Sequence, residues 1–557
     1  ELHRSTDGGR TWTKTHQDVL ENVCYSYGYY FGVVYANPSQ ARQVFIAGVP
    51  LLQSTDSGKT FTFAGGDNVH VDHHYIWVNP DNVNHLINGN DGGVNISYDG
   101  GVNWTKCNSP SVGQFYTVAV DNKKNYNVYG GLQDNGVWKG PNNYSYSTQW
   151  HQEGKYPYQR IAGGDGMQIQ IDSRDNTVYT GSQFGHYYRI SPNGKYHYFH
   201  PMHDLKAEKL RWNWQTPILL SSHNQDILYM GSNKLHRSMN QGKTFKEISP
   251  DLSNGSKKGD VSYGTISCIS ESLYKFGLIY AGTDDGNIQV TKDGGETWSE
   301  KSSKLPKHLW VTEVIASMHK KERVFVVLNG NIWGHYNSYI YSSEDYGNTW
   351  SQIGSKLPNE TLNSLIEDPT NEDILYLASD AGVYISTNRG EDFEAFSILP
   401  PLAVHDLVIQ KDNRDLIVGT HGRSIYKIQL EPIYQSSAYL DSNFVFLEMD
   451  ALRYNPNWGK LKYDWSTQKP TKDFVFFLTK REEVKIQIVD SENNVLLTKL
   501  VNSKKGYNKA TVSLEFQENK SGSLLKGTLD KYYPSKGSYE VYIETSTETK
   551  KRTLIVQ

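Results

Sequence analysis

The chain lacks the residues and patterns that mark several protein classes. Its 557 residues include only three cysteines, Cys24, Cys107 and Cys268, whose wide spacing forms neither a metal-binding pattern nor a disulfide framework. No apolar run is long enough to cross a membrane. The formal net charge of -4 removes the long-range field expected of a nucleic-acid-binding protein. We therefore expect no transmembrane segment and no nucleic-acid partner.

Signatures of common catalytic sites are also missing. The sequence contains no glycine-rich phosphate loop, no Gly-x-Ser-x-Gly elbow and no His-Glu-x-x-His helix. The run from His70 to His74 offers imidazoles and a carboxylate, but alternation along an extended segment would separate His73 from His74. Because at most part of a coordination shell would remain, we predict no metal site and no cofactor.

The start of the chain carries no signal peptide, since it opens on Glu1-Leu2-His3-Arg4. These residues lead directly into a strand of a repeat that is already under way. We therefore expect the sequence to lack its true beginning.

One short pattern is present seven times. It reads S/T-x-D/N-x-G-x-x-W/F, and its acidic or amide position falls at residues 7, 56, 99, 240, 293, 345 and 388. An Asp or Asn there can fold back on its own backbone, the glycine supplies a left-handed turn, and the aromatic residue packs the next strand. We interpret these aspartates and asparagines as structural parts of hairpin turns.

The spacing of the turns predicts the architecture. Successive copies lie about 43 to 53 residues apart, except for one gap between residues 99 and 240 that is wide enough for two eroded repeats. A period of about 40 to 50 residues built from short strands is typical of a β-propeller with one four-stranded blade per repeat. The predicted fold class is therefore all-β, built from Asp-box blades.

The repeats divide the chain into four expected parts. Residues 1–112 form the end of a first propeller, residues 113–430 a seven-bladed propeller, residues 431–471 a linker and residues 472–557 a β-sandwich of immunoglobulin or fibronectin type. This division treats the chain as the later part of two seven-bladed propellers. Alternatively, the chain forms most of a single ten-bladed ring.

Propeller geometry also assigns faces. The first strand of each blade lies at the axis and the fourth at the outside, so the segments that lead into first strands share a face with the turns between second and third strands. The repeated Asp-box turn joins the third and fourth strands on the opposite face.

Several further motifs carry a resemblance to a known family. They are Asn90–Val94, Gly113–Tyr116, Tyr129–Gly136, Gly163–Gly166, Arg211–Ile218, Gly282–Gly286 and Gly419–Ser424. Over essentially the whole chain, the sequence resembles the large bacterial Asp-box (BNR) repeat proteins of Bacteroidetes type, which are often labelled glycosyl hydrolase or sortilin-like. The resemblance implies further blades before this region and a terminal sandwich, but it implies no particular reaction.

The face assignment brings carboxylates, imidazoles and indoles to the mouth of the central channel. Aromatic faces stack on sugar rings or peptide side chains, while Asp, Asn and Arg supply directional hydrogen bonds. The predicted ligand-binding residues are His73, Gln114, Tyr116, Asn135, Trp212, Trp214, Tyr263, Asp284, Asp285, Trp310, His405, His421 and Arg423.

Each of these residues has a structural alternative. An Asp in an Asp-Gly or Asp-Asn-Gly run is common in tight hairpins, which applies to Asp91, Asp134 and Asp285. The indoles of Trp212 and Trp214 suit either channel packing or a stacking platform. A salt bridge of His421 and Arg423 that closes the ring is the alternative for that pair.

The function that we favour is recognition. We expect an exported protein, extracellular, at the cell surface or in the periplasm, that binds polysaccharide or a cell-surface protein as part of an outer-membrane or secreted assembly. The alternative is a glycoside hydrolase, whose two carboxylates would lie roughly 5 to 5.5 Å apart for retention or 6.5 to 9.5 Å apart for inversion. Its candidate catalytic residues are Asp72, Asp91, Asp134 and Asp165.

Overall fold

The computed structural model describes residues 1–107, 112–144, 147, 149, 155–205, 207–257, 262–437, 443–461, 466–519 and 524–557. It divides into two compact units, Glu1–Val112 and Gly113–Gln557. Nearly all regular structure is antiparallel β-sheet in four-stranded sheets, which confirms the predicted all-β propeller class. Within the described residues, no helix has the length and apolar character needed to span a bilayer.

Unit 1 contains one hairpin and two four-stranded sheets. The hairpin pairs His3–Arg4 with Thr13–Lys14. The strands of the sheets are Val33–Ala36, Val44–Ala47, Leu51–Ser54 and Thr62–Phe63, followed by His73–Val78, Leu86–Asn90, Gly93–Ser97 and Thr105–Cys107. Phe45, Ile76 and Leu86 are buried in one apolar cluster, which packs the two sheets together.

Unit 2 begins with seven consecutive sheets, which we number blades 1 to 7. Blades 1 and 2 consist of Phe115–Val120, Asn127–Leu132, Gly136–Pro141 and Gln159–Ala162, then Gln170–Ile171, Val178–Ser182, His186–Ile190 and Tyr196–Phe199. Blades 3 and 4 consist of Ile218–Leu220, Leu228–Gly231, Leu235–Ser238 and Lys246–Glu247, then Ile266–Glu271, Ile279–Thr283, Ile288–Thr291 and Ser299–Glu300. Blades 1 and 2 occupy the gap in which two eroded repeats were expected.

The remaining blades follow the same antiparallel order. Blade 5 consists of Trp310–Ala316, Val324–Gly330, His335–Ser343 and Ser351–Gln352, and blade 6 of Leu362–Glu367, Leu375–Ser379, Gly382–Ser386 and Glu394–Ser397. In blade 7 the described residues form three strands, Val404–Gln410, Asp415–Thr420 and Ile425–Gln429. Short 3-10 turns, Gln183–Gly185 and Asn331–Trp333, lie in blades 2 and 5.

The last blade is joined to the first. Oδ2 of Asp406 in blade 7 accepts hydrogen bonds from the Thr117 hydroxyl (2.8 Å) and from the Val118 amide (2.9 Å) in blade 1. Gln114 and His421 form a β-bridge at the same junction. These contacts close blades 1 to 7 into a ring.

Side chains also link neighbouring first strands within the ring. The Ala316 amide donates to the Ser270 hydroxyl (3.0 Å), which joins blade 5 to blade 4. The Ser364 hydroxyl donates to Oε2 of Glu313 (3.2 Å), and Nδ2 of Asn363 donates to the Val404 carbonyl (2.8 Å). Polar contacts therefore join the innermost strands of neighbouring blades in addition to their apolar contacts.

The Asp-box turns share one hydrogen-bonding pattern. At Asp293, the Thr291 hydroxyl donates to Oδ1 (2.7 Å), and the Thr297 amide donates to the same oxygen (2.9 Å). The indole of Trp298 donates to the Ile248 carbonyl of the preceding blade (2.9 Å). The carboxylate is thus used within its own turn and the indole fastens adjacent blades, in agreement with a structural role.

The C-terminal part of unit 2 is a sandwich of two sheets. Its strands are Phe444–Phe446, Thr471–Leu478 and Gly506–Ser513 in one sheet, and Glu482–Val489, Val495–Ser503, Gly537–Glu544 and Thr549–Val556 in the other, with a separate hairpin of Leu525–Lys526 and Tyr532–Tyr533. Phe474 and Phe476 from the first sheet share a buried core with Ile486 and Ile543 from the second.

The segment 431–471 differs from the linker expected there. It begins with the helix Glu431–Ser437 and contains the strand Phe444–Phe446, which pairs with Thr471–Leu478. Trp458 is buried in the core of the sandwich. The described residues pack individually, Trp458 in the core of the sandwich and Ile433 and Val445 in the core of blades 6 and 7, and the sequence accordingly shows no period here.

The sandwich continues the sheet of blade 6. The outer strand of that blade, Glu394–Ser397, pairs in parallel with Gly506–Ser513, in the register Phe396 to Tyr507 and Ser397 to Asn508. A seven-stranded sheet results. Tyr507 is buried, with ring centroids 5.8 Å from Phe396 and 5.1 Å from Phe477.

This junction can be tested with Tyr507→Ala. Loss of a buried aromatic side chain should lower the local free energy of unfolding by about 3 to 5 kcal/mol and speed amide hydrogen exchange over Gly506–Ser513, measured by mass spectrometry. Leu500→Ala is the control, because Leu500 is 59% exposed in the same sandwich. Equal exchange in both variants would contradict the assignment of Tyr507 to the junction.

Candidate binding rim

The predicted site residues of unit 2 lie along one edge of the ring, which we call the rim. It consists of the turns between second and third strands together with the segments that lead into first strands. These two kinds of segment contact each other, as the Gly264 amide donates to Oδ1 of Asp284 (2.9 Å) and the Gly422 amide donates to the Gly113 carbonyl (2.9 Å).

Two of the predicted catalytic residues, Asp134 and Asp165, contact each other where blade 1 faces blade 2. The Asp134 amide donates to Oδ1 of Asp165 at 2.6 Å, and Asp165 is buried. Asp134 has a φ of 60°, the left-handed conformation that turns require and Asp tolerates. Asn135 belongs to the same turn, because its carbonyl accepts the indole N–H of Trp138 (2.7 Å). Asp165 therefore fixes the turn that carries Asp134 and Asn135.

An aromatic bridge spans three blades on the rim. The Trp214 indole N–H, before blade 3, donates to the Tyr116 hydroxyl of blade 1 (3.2 Å). The Phe184 ring of blade 2 meets the Trp214 ring edge-on, with centroids 5.1 Å apart. Burial raises the pKa of Tyr116 to about 12, so its hydroxyl stays protonated at neutral pH. Trp214 is 37% exposed and presents an aromatic surface to solvent.

Phe184 was not predicted from the sequence. It has a φ of 58° inside a short 3-10 turn, a strained conformation for a bulky residue. Its amide donates to the Trp214 carbonyl (3.2 Å), which helps to explain why the strain is maintained. Its position in a turn between second and third strands is the signal that could have identified it.

Trp212 lies on the inner side of the same segment. It is buried, and its ring lies 4.7 Å from that of His200 and 5.7 Å from that of His236. This placement matches the packing alternative for Trp212 and leaves Trp214 as the accessible indole of the two.

Asp284 and Asp285 are both buried. Oδ1 of Asp284 accepts the Thr265 amide (2.9 Å) and Oδ2 accepts the Thr265 hydroxyl (2.6 Å), while burial raises the pKa of Asp284. Asp285 accepts hydrogen bonds from the Thr283 hydroxyl (2.6 Å) and the Asn254 amide (2.7 Å). These carboxylates lie beneath the surface of the rim, where they hold neighbouring segments in place, and they are shielded from solvent.

A second aromatic group lies near blades 4 and 5. The Tyr263 ring lies 4.5 Å from the Lys257 ammonium and 6.5 Å from the Trp333 ring. Burial raises the pKa of Tyr263 to about 12. Trp310 is half-buried at the start of blade 5. Trp333, which the sequence analysis missed, is exposed in a 3-10 turn.

Two stacked histidines lie at the ring closure. The rings of His405 and His421 are 4.3 Å apart and nearly parallel. Burial, together with His421, lowers the pKa of His405 to about 4. The Gln114 amide nitrogen lies 3.5 Å from Nε2 of His421. Arg423 is exposed, and among the described residues it forms no ion pair, so the predicted salt bridge is not formed there.

Two carboxyl groups lie deeper in the ring. Burial raises the pKa of Glu313 to about 8, and the nearby Asp406 carboxylate raises it further. Burial raises the pKa of Asp406 to about 6. Both residues belong to first strands, and Glu313 was not predicted from the sequence.

In unit 1, His73 and His74 point to opposite sides of their strand. His73 is buried, with Nδ1 2.9 Å from Oδ1 of Asn88, and burial lowers its pKa to about 4. Nε2 of His74 lies 2.5 Å from Oδ1 of Asp91. Carboxylate oxygens of Asp72 and Asp91 lie within 4.8 Å of each other. Of the four predicted catalytic residues, Asp72 and Asp91 therefore belong to unit 1, and Asp134 and Asp165 belong to unit 2.

Residues 338–533 match the family model described as sortilin, neurotensin receptor 3. The match runs from the third strand of blade 5 to the hairpin of the sandwich. It includes the junction at which Glu394–Ser397 pairs with the sandwich. The chain is therefore sortilin-like over this region. A comparison with curated proteins found no match.

Among solved structures, the chain is similar to the extracellular domain assigned to a hybrid two-component system of B. thetaiotaomicron, with 11% identity, a TM-score of 0.43 and coverage of 94% of this chain and 68% of that chain. It is also similar to the GH74 enzyme of Niastella koreensis, with 15% identity, a TM-score of 0.25 and coverage of 81% and 82%. The Pan2 WD40 domain of Neurospora crassa shares 13% identity, with a TM-score of 0.38 and coverage of 57% and 88%.

The histidine stack predicts a loss of stability in acid. The unfolded chain protonates His405 near pH 6.5 but the folded chain only near pH 4, so the unfolded state binds more protons between these values and stability falls as the pH decreases. His405→Gln should reduce this loss by roughly 1 to 3 kcal/mol between pH 6.5 and 4, measured by chemical denaturation. His197→Gln is the control, because His197 is exposed. If His405→Gln lost as much stability as the wild type between pH 6.5 and 4, the assignment would be contradicted.

The raised pKa of Glu313 predicts the opposite pH dependence of folding stability. Because its folded-state pKa is raised from 4.5 to about 8, the folded chain retains a proton that the unfolded chain releases, and stability falls as the pH rises between these values. Glu313→Gln keeps an acceptor for Ser364 and should make the protein more stable than wild type at pH 8 but not at pH 4.5. The measurement is the thermal midpoint at both pH values, with exposed Glu391→Gln as control. A lower midpoint for Glu313→Gln at pH 8 would refute this account.

Proposed function

We propose that the protein is an exported recognition module whose rim binds a polysaccharide at the cell surface. The observation that carries this proposal is the aromatic bridge of Tyr116, Phe184 and Trp214. Aromatic faces bind the apolar faces of sugar rings, and neighbouring polar groups orient the hydroxyls.

The bridge is held in place before any ligand arrives. The Trp214 indole is fixed by its hydrogen bond to Tyr116 and by the edge-on contact with Phe184. A side chain that is already ordered loses little conformational freedom on binding. The half-exposed indole is thereby suited to stacking on a saccharide ring.

The contacts of the rim carboxylates favour binding over hydrolysis. Asp165 is buried and accepts a backbone amide, while Asp284 and Asp285 are buried and hydrogen-bonded to neighbouring turns. A glycosidase needs two carboxyl groups that flank the bond to be cleaved. In unit 1, Asp91 is paired with His74. Hydrolysis is therefore the second candidate, and the experiment below distinguishes it.

The setting of the protein belongs to the same proposal. The resemblance of the whole sequence to bacterial Asp-box proteins of Bacteroidetes type supports export, whether to the cell surface, the medium or the periplasm. The sandwich packed on blade 6 offers a second surface for an outer-membrane or secreted assembly. A cell-surface protein is the alternative ligand for the rim.

The proposal predicts that Trp214→Ala weakens glycan binding. Loss of a stacked indole should reduce affinity by about 1.5 to 3 kcal/mol, or roughly 10-fold to 100-fold, measured by a glycan array followed by calorimetry on the best ligand. Trp77→Ala is a matched control, since Trp77 is 38% exposed and lies in unit 1. Asp165→Asn should keep most of the binding if its fold is intact.

Three results would overturn the proposal. Equal binding by wild type and Trp214→Ala would exclude the aromatic bridge. Release of oligosaccharide products that is lost in Asp134→Asn or Asp165→Asn would establish hydrolysis. The third result has two parts: no glycan on the array binds, and the wild type captures a surface protein that Trp214→Ala does not capture. The rim would then be a protein-binding site.

A further inference from the structure

A groove lies on the outer side of blades 3 and 4, away from the rim. It has a volume of about 830 Å³, within the range of ligand-binding pockets. It is bordered by the fourth strand of blade 3, the turn between the first two strands of blade 4, and the Asp-box turn of blade 4. Its cationic residues are Arg237, Lys246, Lys275 and Lys292.

None of these four cations forms an ion pair with a carboxylate within the described parts of the chain. Arg237 Nη1 donates to the Gly294 carbonyl (3.0 Å), and Lys275 Nζ donates to the Lys292 carbonyl. The Lys292 ammonium lies 3.7 Å from the centre of the Tyr346 ring. Three of the four charges therefore contact neutral groups, which orient the cations without neutralising them.

Of the three carboxylates that line the groove, only Glu247 forms an ion pair within the described parts of the chain. Glu247 forms an ion pair with Lys234 (2.8 Å), outside the groove. Asp293 accepts the hydroxyl and amide of Thr297 within its own turn. Glu296 is exposed at the edge of the groove. The groove thus carries four unpaired cations against two carboxylates, Asp293 and Glu296, that form no ion pair among the described residues.

The surroundings of Lys292 have the same character. Burial lowers the pKa of Lys292, and the like charges of Lys301 and Lys275 lower it further. Positive charge accumulates here although the whole chain has a net charge of -4. An anionic ligand would relieve this local repulsion.

The shape of the groove favours a polymer over a small anion. It shares Lys246 and Glu247 with a second groove of about 550 Å³ between blades 2 and 3, so the two grooves adjoin at the fourth strand of blade 3. Phe276, 43% exposed, and the exposed Tyr198 add aromatic surface along it. Cations that alternate with aromatic rings suit a chain of sugars with an acidic group on successive units.

We propose that this groove binds an anionic polysaccharide, carrying carboxylate or sulfate groups, at a site separate from the rim. The site is independent of the function proposed for the rim, because the two lie on different sides of the blades. The weakly acidic whole chain disfavours nucleic acid as the ligand.

The test uses the full chain and four defined polymers: polygalacturonate for carboxylates, heparin for sulfates, dextran as a neutral polysaccharide and poly-glutamate as an anionic polypeptide. Binding is measured by calorimetry at two salt concentrations. Lys246→Glu/Lys275→Glu should weaken binding of the preferred anionic polymer at least about 10-fold and reduce its salt dependence. Lys411→Glu is the matched control, since Lys411 is an exposed lysine in the corresponding turn of blade 7.

The outcomes separate the site from its alternatives. Selective binding of polygalacturonate or heparin, weakened by the double variant but not by Lys411→Glu or Trp214→Ala, supports the proposal and identifies the acidic group. If neither polygalacturonate nor heparin binds, the proposal is overturned. Equal loss in Lys411→Glu, or equally tight binding of poly-glutamate, would also overturn it, by showing general charge attraction or a protein ligand.

Discussion

The closure of the ring is the constraint on which the rest of unit 2 depends. A sheet edge that is left open exposes unpaired backbone groups and allows neighbouring blades to separate. Here the carboxylate of Asp406 joins the first strand of blade 7 to Thr117 and Val118 of blade 1. Every segment of the rim is held in place by a blade, so the positions of Tyr116 and Trp214 depend on this closure as much as on their mutual hydrogen bond.

The polar character of the ring interior has a cost. Glu313 of blade 5 and Asp406 of blade 7 lie near enough to interact, and burial disfavours the ionised form of each. These side chains nevertheless link blades, since Asp406 accepts the Thr117 hydroxyl of blade 1 and Glu313 accepts the Ser364 hydroxyl of blade 6. The stacked imidazoles of His405 and His421 disfavour charge of the other sign. The two sets of groups therefore limit stability from opposite ends of the pH scale.

What the sequence could predict follows from how local each feature is. The Asp-box turns are set by four or five consecutive residues, so Asp293 and its partners could be located from the sequence alone. The face assignment followed from the order of strands and brought Tyr116 and Trp214 to one edge. Their direct contact could not be foreseen, since it joins residues 116 and 214 across an intervening blade. The parallel pairing of Phe396 with Tyr507 is equally distant in sequence and leaves no local signal.

The two faces of the blades differ in what their turns leave available. On the Asp-box face, the Asp or Asn of a turn is hydrogen-bonded within that turn, as at Asp293, and the basic residues Lys275 and Lys292 beside it form no ion pair among the described residues. On the rim, carboxylates such as Asp165 and Asp284 are buried beneath the turns, and the accessible groups are aromatic. One repeated fold thereby presents a cationic surface and a largely neutral aromatic surface. The cationic surface favours ligands by charge attraction, and the aromatic surface favours ligands by stacking.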